Sequence, residues 1–200
     1  MQQFTTSTLD INEIAKIVDN GGIIAYPTDT VYGLGCNPYI PDSVTKIFEI
    51  KLRTNKPLPL LCSSIEFASK IASFDSISLK LAEEFWPGPL TILVPITDDS
   101  LKTLTCGSNF IGLRVPDNVV TLSLLSKCDG YLVGTSANIS GSGSNYYASS
   151  VISQLPNIDA ILVDDIKNKS KESTIIKVEN NDITIIRQGS LDSQSINNIL

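Results

Sequence analysis

The stretch Pro27–Gly35, PTDTVYGLG, follows the apolar run Ile23–Tyr26, and it is the most informative segment of the chain. The apolar run predicts a buried strand, and the stretch after it carries two threonines, an aspartate, a tyrosine and two glycines. A plain chain reversal needs only a glycine or asparagine and sometimes a proline. The extra hydroxyl groups therefore indicate polar chemistry beyond that of a simple turn.

The composition is that of one compact globule, which predicts a single domain over residues 1–200. Hydrophobic residues make up 42% of the chain and charged residues 18%, which is below the usual quarter. The apolar runs are too short to cross a bilayer, and Met1–Thr5 lacks the basic start and apolar middle of a signal peptide. We therefore expect a cytoplasmic protein with no membrane segment.

The side chains that most often bind metals or act as catalytic bases are scarce. The chain has four well-separated cysteines, Cys36, Cys62, Cys106 and Cys128, and no histidine. No C-x-x-C pair is present, so the sequence argues against a zinc site and excludes a Cys–His or Ser–His catalytic pair. We expect four reduced thiols packed as small apolar residues.

The net charge is −6 and the pI is about 4.6, which argues against broad electrostatic binding of nucleic acid. Positive charge is nevertheless clustered. One cluster contains Lys46, Lys51, Arg53 and Lys56, and a second contains Lys167, Lys169 and Lys171. An acidic chain with local basic clusters is better suited to a small anionic ligand than to a long polyanion.

Hydrophobic periodicity predicts alternating helices and strands, hence an α/β fold with a mixed sheet. Helices are predicted after a capping box at Asp10–Glu13, after Asp42–Ser43, over Leu79–Phe85 and over Asn118–Lys127. Strands are predicted at Ile23–Tyr26, Leu90–Ile96, Phe110–Val115, Tyr131–Thr135, Ala160–Val163, Thr174–Glu179 and Ile183–Arg187. Asn180–Asn181 is a candidate hairpin turn between the last two strands.

Lys51, Arg53 and Lys56 place three cations at the end of a predicted helix, a spacing that suits a triphosphate. The simpler interpretation is a solvated basic corner, which most charge runs are. The segment Gly134–Gly141, GTSANISG, follows an apolar strand, and the carboxyl ends of strands are where open α/β sheets bind ligands. Ser136 and Asn138 there are either ligand contacts or the cap of the next helix.

Three further candidates lie at the ends of predicted strands. Arg114 ends an apolar strand and must find an anion there, either a ligand carboxylate or a neighbouring aspartate. Ser173 leads a late strand, and Arg187 ends its hairpin partner. The Gly/Ser-rich segment Ser140–Asn145 is interpreted as a flexible loop beside a site rather than as a linker.

The order of the motifs resembles the YrdC-like threonylcarbamoyl-AMP synthase family in its short, single-domain form. The motifs are PTDTVYGLG, K-x-R with KPL, WPGPLT (Trp86–Thr91), GLRVPD (Gly112–Asp117), TSANISG (Thr135–Gly141), ST (Ser173–Thr174) and IIRQG (Ile185–Gly189). The resemblance covers roughly Asp10 to Gly189. It implies a twisted mixed sheet with flanking helices around a concave cavity.

The resemblance also implies a reaction. Family members join L-threonine, bicarbonate or CO2, and ATP with its Mg2+ into threonylcarbamoyl-adenylate and release pyrophosphate, and a partner transferase then modifies tRNA. By resemblance, the threonine contacts are Thr30, Tyr32, Arg114, Ser136 and Ser173. The ATP contacts are Lys51, Arg53, Lys56, Ser136, Asn138, Ser144 and Arg187, with Lys51 and Arg53 as catalytic residues.

The sequence departs from the family pattern at several positions. Leu61 lies in the region where long-form relatives carry a histidine, Tyr146 lies where a small hydroxyl residue is frequent, and residues 164–172 lack the usual glycines. We expect residues 140–145 and 164–172 to form a mobile cover over the site.

Two other functional classes remain as alternatives. One is a double-stranded RNA or tRNA binding module of the same fold, which the charge of −6 disfavours. The other is a carbamoyl-phosphate-using transferase domain, which the absence of attached maturation domains disfavours.

Overall fold

The computed structural model describes residues 1–52, 56–164, 171–179 and 182–199. The strands are β1 (Gln2–Phe4), β2 (Ile24–Tyr26), β3 (Gly33–Gly35), β4 (Leu60–Cys62), β5 (Leu90–Pro95), β6 (Phe110–Arg114), β7 (Tyr131–Val133), β8 (Thr135–Ser136), β9 (Ala160–Leu162), β10 (Thr174–Glu179) and β11 (Asp182–Arg187). The helices are α1 (Thr8–Asp19), α2 (Pro41–Ile50), α3 (Ile65–Ile71), α4 (Ser76–Phe85), α5 (Lys102–Thr105), α6 (Val119–Lys127), α7 (Ala148–Gln154) and α8 (Ser193–Asn197).

The strands form two mixed sheets, which confirms the predicted α/β class. The first sheet has the order β1-β9-β2-β3-β8, and the second has the order β11-β10-β5-β6-β4-β7. The strands β7 and β8 belong to different sheets and are separated only by Gly134, so the chain crosses between the sheets at that residue. The segment carrying Ser136 and Asn138 thus begins at the junction of the two sheets.

The two glycines of β3 allow Tyr26 to connect the sheets. Tyr26 and Gly33 are partners in the antiparallel β2–β3 pair, and a Cβ atom on Gly33 would lie 2.5 Å from the Tyr26 ring. A Cβ atom on Gly35 would lie 2.9 Å from the same ring and 2.2 Å from the Val133 carbonyl oxygen. The ring therefore lies across β3, and its hydroxyl donates to the Val133 carbonyl at 2.7 Å. Burial raises the pKa of Tyr26 far above its usual value, so the hydroxyl stays a donor.

Two of the predicted helix caps are wrong. Ser7, not Asp10, caps α1 by accepting from the Asp10 amide at 3.2 Å, while the Asp10 carboxylate accepts from the amide of Thr5 at 2.8 Å. Helix α2 begins at Pro41 without a side-chain cap. Ser43 instead donates to the Gly21 carbonyl at 2.8 Å and connects the two helices.

The predicted helix over Asn118–Lys127 and the late hairpin are confirmed. Asn118 caps α6 and accepts from the Thr121 amide at 2.9 Å. β10 and β11 pair antiparallel, and the predicted turn at Asn180–Asn181 lies outside the described residues. Over the described ranges, no helix is both long and apolar enough to span a membrane.

Three of the four cysteines are packed in the interior, as expected. Cys36, Cys62 and Cys128 are buried, and burial raises the pKa of Cys36 and Cys128 to about 12 and that of Cys62 further. Cys106 is different, because it is exposed and adopts a left-handed conformation at the end of α5. The expectation that all four thiols pack as small apolar residues is therefore wrong for Cys106.

Cys106 should be the thiol that reacts in the native protein. At about pH 8 the buried thiols have neither access nor thiolate character, since thiolate is the reactive form. Ellman's reagent should modify one thiol per native chain and all four after denaturation. Cys106→Ser should abolish the native reaction, and rapid native labelling of that variant would contradict the described core.

Candidate functional site

A cavity of about 260 Å³ lies between the two sheets. Its wall combines hydroxyl side chains, two arginines, one glutamate and apolar residues from both sheets. The lining residues are Tyr26, Thr28, Thr30, Val31, Tyr32, Gly33, Pro57, Leu58, Pro59, Leu61, Thr91, Leu93, Gly112, Arg114, Gly134, Thr135, Ser136, Glu172, Ser173, Ile175, Ile186 and Arg187. All five predicted threonine contacts are among these residues.

The turn after β2 explains part of the hydroxyl content of PTDTVYGLG. The Thr28 hydroxyl donates to the Val31 carbonyl at 2.6 Å and accepts from the amides of Thr30 and Val31 at 3.1 and 3.2 Å. One side chain thus satisfies the polar backbone groups of a buried turn. The Thr30 hydroxyl lies 3.1 Å from that of Thr28 and is held at the cavity wall.

Arg114 is buried at the end of β6, and each part of its guanidinium group has an acceptor. Nε donates to the Gly88 carbonyl at 2.9 Å, Nη1 to the Thr30 hydroxyl at 3.1 Å, and Nη2 to the Asp29 carboxylate at 2.5 Å. Burial lowers the pKa of Arg114, while the neighbouring Asp29 carboxylate opposes that shift. The anion that the sequence required is therefore supplied by Asp29, and the guanidinium still lines the cavity.

Tyr32 joins the cavity to the end of β9. Its hydroxyl lies 3.1 Å from the Leu162 carbonyl and 3.0 Å from that of Asp164, and it accepts from the Asp164 amide at 3.0 Å. Its side chain is fully buried. The same residue organises the loops around it, because its amide donates to Asn145 and its carbonyl accepts from Ala137.

Lys51 lies beneath the segment that contains Ser136 and Asn138. It is 1% exposed, and its Nζ donates to the Ser136 carbonyl at 2.5 Å and to the Asn138 carbonyl at 2.8 Å. The solvated-corner interpretation is therefore wrong for Lys51. Ser136 donates to Asn138 Oδ1 at 2.6 Å, and Asn138 Nδ2 donates to the Ser142 carbonyl at 2.6 Å. Helix α7 begins only at Ala148, so the capping alternative for Ser136 and Asn138 is also wrong.

The predicted nucleotide contacts are distributed unevenly around the cavity. Ser136 and Arg187 line it, whereas Lys51, Lys56, Asn138 and Ser144 are not among its described lining residues. Lys56 is exposed. Arg53 lies outside the described residues, as do Lys167 and Lys169 of the second basic cluster.

The late hairpin brings Glu172, Ser173 and Arg187 together at the cavity wall. Arg187 Nη2 donates to the Ser173 carbonyl at 2.8 Å and to its hydroxyl at 3.2 Å, and Arg187 Nη1 forms an ion pair with Glu172. The Ser173 hydroxyl lies 2.9 Å from that of Thr91 on β5. Arg187 also contributes to lowering the pKa of Arg114, so the positive field reaches across the cavity.

Sequence reasoning assigned no role to Asp29, Thr91 or Glu172. Asp29 could have been found, since it is the one charge in the stretch Pro27–Gly35 and Arg114 needed an anion. Glu172 directly precedes the Ser173–Thr174 motif, but its partners are distant in sequence. In the part of the chain that is described, no three His, Cys, Asp or Glu side chains are grouped for a metal ion.

Comparison with known proteins places the chain in context. The family model Sua5/YciO/YrdC, described as "Telomere recombination", matches residues 16–189. The threonylcarbamoyl-AMP synthase of Pyrococcus abyssi is 30% identical over 189 residues, and that of Bacillus subtilis is 29% identical over 202 residues. These alignments cover 93% and 99% of this chain, which spans 56% and 58% of the two relatives.

Solved structures show the same similarity. Sua5 of P. abyssi complexed with L-threonine superposes with a TM-score of 0.93 at 29% identity, covering 100% of this chain and 60% of that one. YciO of Escherichia coli superposes with a TM-score of 0.90 at 24% identity and covers 98% of both chains, which shows a shared fold.

The buried Arg114–Asp29 pair should contribute strongly to stability. Removing one partner of a buried pair typically costs about 3–5 kcal/mol, because the other charge loses its compensation. Asp29→Ala should lower the free energy of unfolding in urea by about that amount. The control is Glu179→Ala, which removes the exposed partner of Lys177 and should cost at most about 1 kcal/mol. Equal losses in the two variants would contradict the described burial.

Proposed function

The chain belongs to the Sua5/YciO/YrdC family, and from this membership we propose that it is an L-threonylcarbamoyladenylate synthase. It would be a nucleotidyltransferase that converts L-threonine, bicarbonate or CO2, and ATP into threonylcarbamoyl-AMP and pyrophosphate. A downstream transferase would pass the threonylcarbamoyl group to tRNA. We further propose that residues 1–200 act as one domain in the cytoplasm.

The observation that carries the proposal is the convergence of hydroxyl and cationic side chains on the wall of the cavity between the sheets. The resemblance assigned Thr30, Tyr32, Arg114, Ser136 and Ser173 to the threonine site, and these five residues come from four separate segments of the chain and line one cavity. The P. abyssi Sua5 structure is a complex with L-threonine. We infer that this cavity receives the same amino acid here.

Arg114 is the proposed anchor for the threonine carboxylate. Its three described contacts fix the guanidinium plane before any ligand arrives, so little reorganisation is needed on binding. The Asp29 carboxylate neutralises the charge of Arg114, but the positive charge of Arg187 also acts on this part of the cavity. The wall therefore remains favourable for an anion. Thr30 and Ser173 would supply neutral hydroxyl groups beside it.

The proposed nucleotide site lies around the segment that Lys51 supports. Lys51 fixes the backbone of Ser136 and Asn138. Ser136 would then contact both threonine and nucleotide, and Asn138 the nucleotide. The proposed ATP contacts also include Arg53, Lys56, Ser144 and Arg187. The Mg2+ ion would accompany ATP as part of the substrate, since the proposed residues supply cations and neutral donors rather than carboxylate ligands.

The chemistry needs no nucleophile from the protein. Threonine carbamate is itself the nucleophile: its oxygen attacks the α-phosphorus of ATP, the new P–O bond forms, and pyrophosphate leaves. Catalysis then consists of positioning the two anions and neutralising the charge that develops on phosphate oxygens. Lys51 and Arg53 are the proposed catalytic residues, and a chain without histidine can perform this reaction.

The charge of the chain favours small substrates over nucleic acid. A net charge of −6 disfavours long-range attraction to a polyanion, and two of the described cations of the site, Arg114 and Lys51, are buried, at 6% and 1% exposed. We therefore propose weak or no direct tRNA binding.

Turnover should require three substrates together. Pyrophosphate release from ATP should appear only when L-threonine and bicarbonate are both present, because the carbamate formed from them is the nucleophile. L-Serine should be a poor substitute, because it lacks one methyl group. Its activation free energy should be higher by about 1–3 kcal/mol, and its kcat/KM correspondingly lower. Equal pyrophosphate release with and without threonine would refute the proposed function.

Asn138 should affect nucleotide use rather than folding alone. Asn138→Ala should raise the KM for ATP by about tenfold or more, since a hydrogen bond to a charged group contributes about 1.5–3 kcal/mol. Asn118→Ala is the matched control, because this asparagine caps α6 and should affect the melting temperature but not the KM. A normal KM in Asn138→Ala would remove Asn138 from the nucleotide site.

A further inference from the structure

We propose that Glu172 is a further residue of the nucleotide site, which occupies the anion position at Arg187 while the cavity is empty and is displaced by a phosphate group of ATP. The inference deepens the proposed function and rests on it for the identity of the ligand. It starts from a bridge that the Glu172 carboxylate forms across the cavity wall.

Both oxygens of the carboxylate are engaged by proposed nucleotide contacts. Oε1 accepts from the Ser144 hydroxyl at 2.7 Å, and Oε2 pairs with Arg187 Nη1. Ser144 and Glu172 lie 28 residues apart in sequence, so the carboxylate ties the Gly/Ser-rich loop to the late hairpin. A hydroxyl group and a guanidinium group converging on one anion are also what a phosphate oxygen requires.

Arg187 does not depend on Glu172 for its orientation. Its Nε and Nη2 donate to the Ser173 carbonyl at 3.2 and 2.8 Å, and Nη2 also reaches the Ser173 hydroxyl. Glu172 contacts the remaining nitrogen, Nη1. The carboxylate can therefore leave, and a phosphate oxygen can take its place at Nη1, while the guanidinium stays where it is.

The backbone of Glu172 is fixed, whereas its side chain is partly open to solvent. The Glu172 carbonyl accepts from the Ser190 amide at 2.9 Å and from its hydroxyl at 3.0 Å. A Cβ atom on Gly189 would lie 2.1 Å from that carbonyl oxygen, so the two chain segments are in close contact. The Glu172 side chain is 30% exposed, so displacement needs only a side-chain rotation toward solvent.

Electrostatics determine the direction of the effect. A carboxylate at the wall repels the phosphate groups of ATP and competes with them for Arg187 and Ser144. Removal of the Glu172 carboxylate should therefore strengthen ATP binding. Removal of a residue that positions ATP would instead weaken it. The two roles predict opposite signs in one measurement.

The test compares binding of MgATP, without threonine, to wild type and to Glu172→Gln by titration calorimetry. The substituted amide keeps the size of the side chain and loses its charge, and ATP should bind at least fivefold more tightly. Adenosine, which has no phosphate, should bind both proteins equally. The control is Glu179→Gln, which makes the same change in net charge at a carboxylate paired with Lys177, and it should leave ATP affinity within twofold of wild type.

A second variant covers the case in which Glu172→Gln does not fold. Glu172→Asp keeps the charge but shortens the reach, so one carboxylate can no longer contact both Ser144 and Arg187, and ATP affinity should again rise. Unchanged or weaker ATP binding in the folded variant would overturn the proposal while leaving the proposed function intact. A failure of wild type itself to bind ATP would refute both.

Discussion

The burial of Arg114 is the constraint on which the rest of the site depends. Arg114 is only 6% exposed, so its guanidinium donors must be satisfied within the protein. Its acceptors come from the turn after β2, which supplies Asp29 and Thr30, and from the segment after α4, which supplies Gly88. The arginine itself ends a strand of the other sheet, so one buried cation holds the first sheet's turn against the second sheet.

Tyr26 and Lys51 extend the same arrangement. The Tyr26 hydroxyl binds the Val133 carbonyl immediately before the chain crosses between the sheets, and Lys51 binds the backbone immediately after it. Both are long side chains with buried polar ends that bond to backbone carbonyls. The crossing segment is therefore held before and after Gly134, and Gly134, Thr135 and Ser136 of this segment line the cavity. Preorganisation of this kind suits a reaction in which positioning and charge neutralisation do the catalytic work.

The sequence predicted those parts of the fold that are governed by periodicity. The buried face of α1 and the strands β10 and β11 follow from the spacing of apolar residues. The strands β1, β3 and β4 were not predicted, and the predicted strand Tyr131–Thr135 is divided at Gly134 into β7 and β8, which lie in different sheets. The Asp10 cap was wrong because Ser7, three residues earlier, forms a competing S-x-x-D capping signature with Asp10 and accepts from the Asp10 amide.

For the site, the sequence predicted which residues line the cavity but not which residues they contact. The order of motifs identified the residues that line the cavity, but only the tertiary structure could assign their partners. Leu61 is one example. It occupies the region where long-form relatives carry a histidine, and only the structure shows that it lies at the cavity wall and packs in the core. Glu172 is another, because its contacts with Ser144 and Arg187 span 28 and 15 residues.

The most direct test of the central claim is a comparison of L-threonine and L-threonine amide as ligands by titration calorimetry. If Arg114 anchors the amino-acid carboxylate in the cavity, L-threonine should bind, and the uncharged amide should bind about 10–100-fold more weakly, as expected for the loss of a charged hydrogen bond of about 1.5–3 kcal/mol. Equal affinities for the two ligands would contradict the claim that Arg114 is the carboxylate anchor.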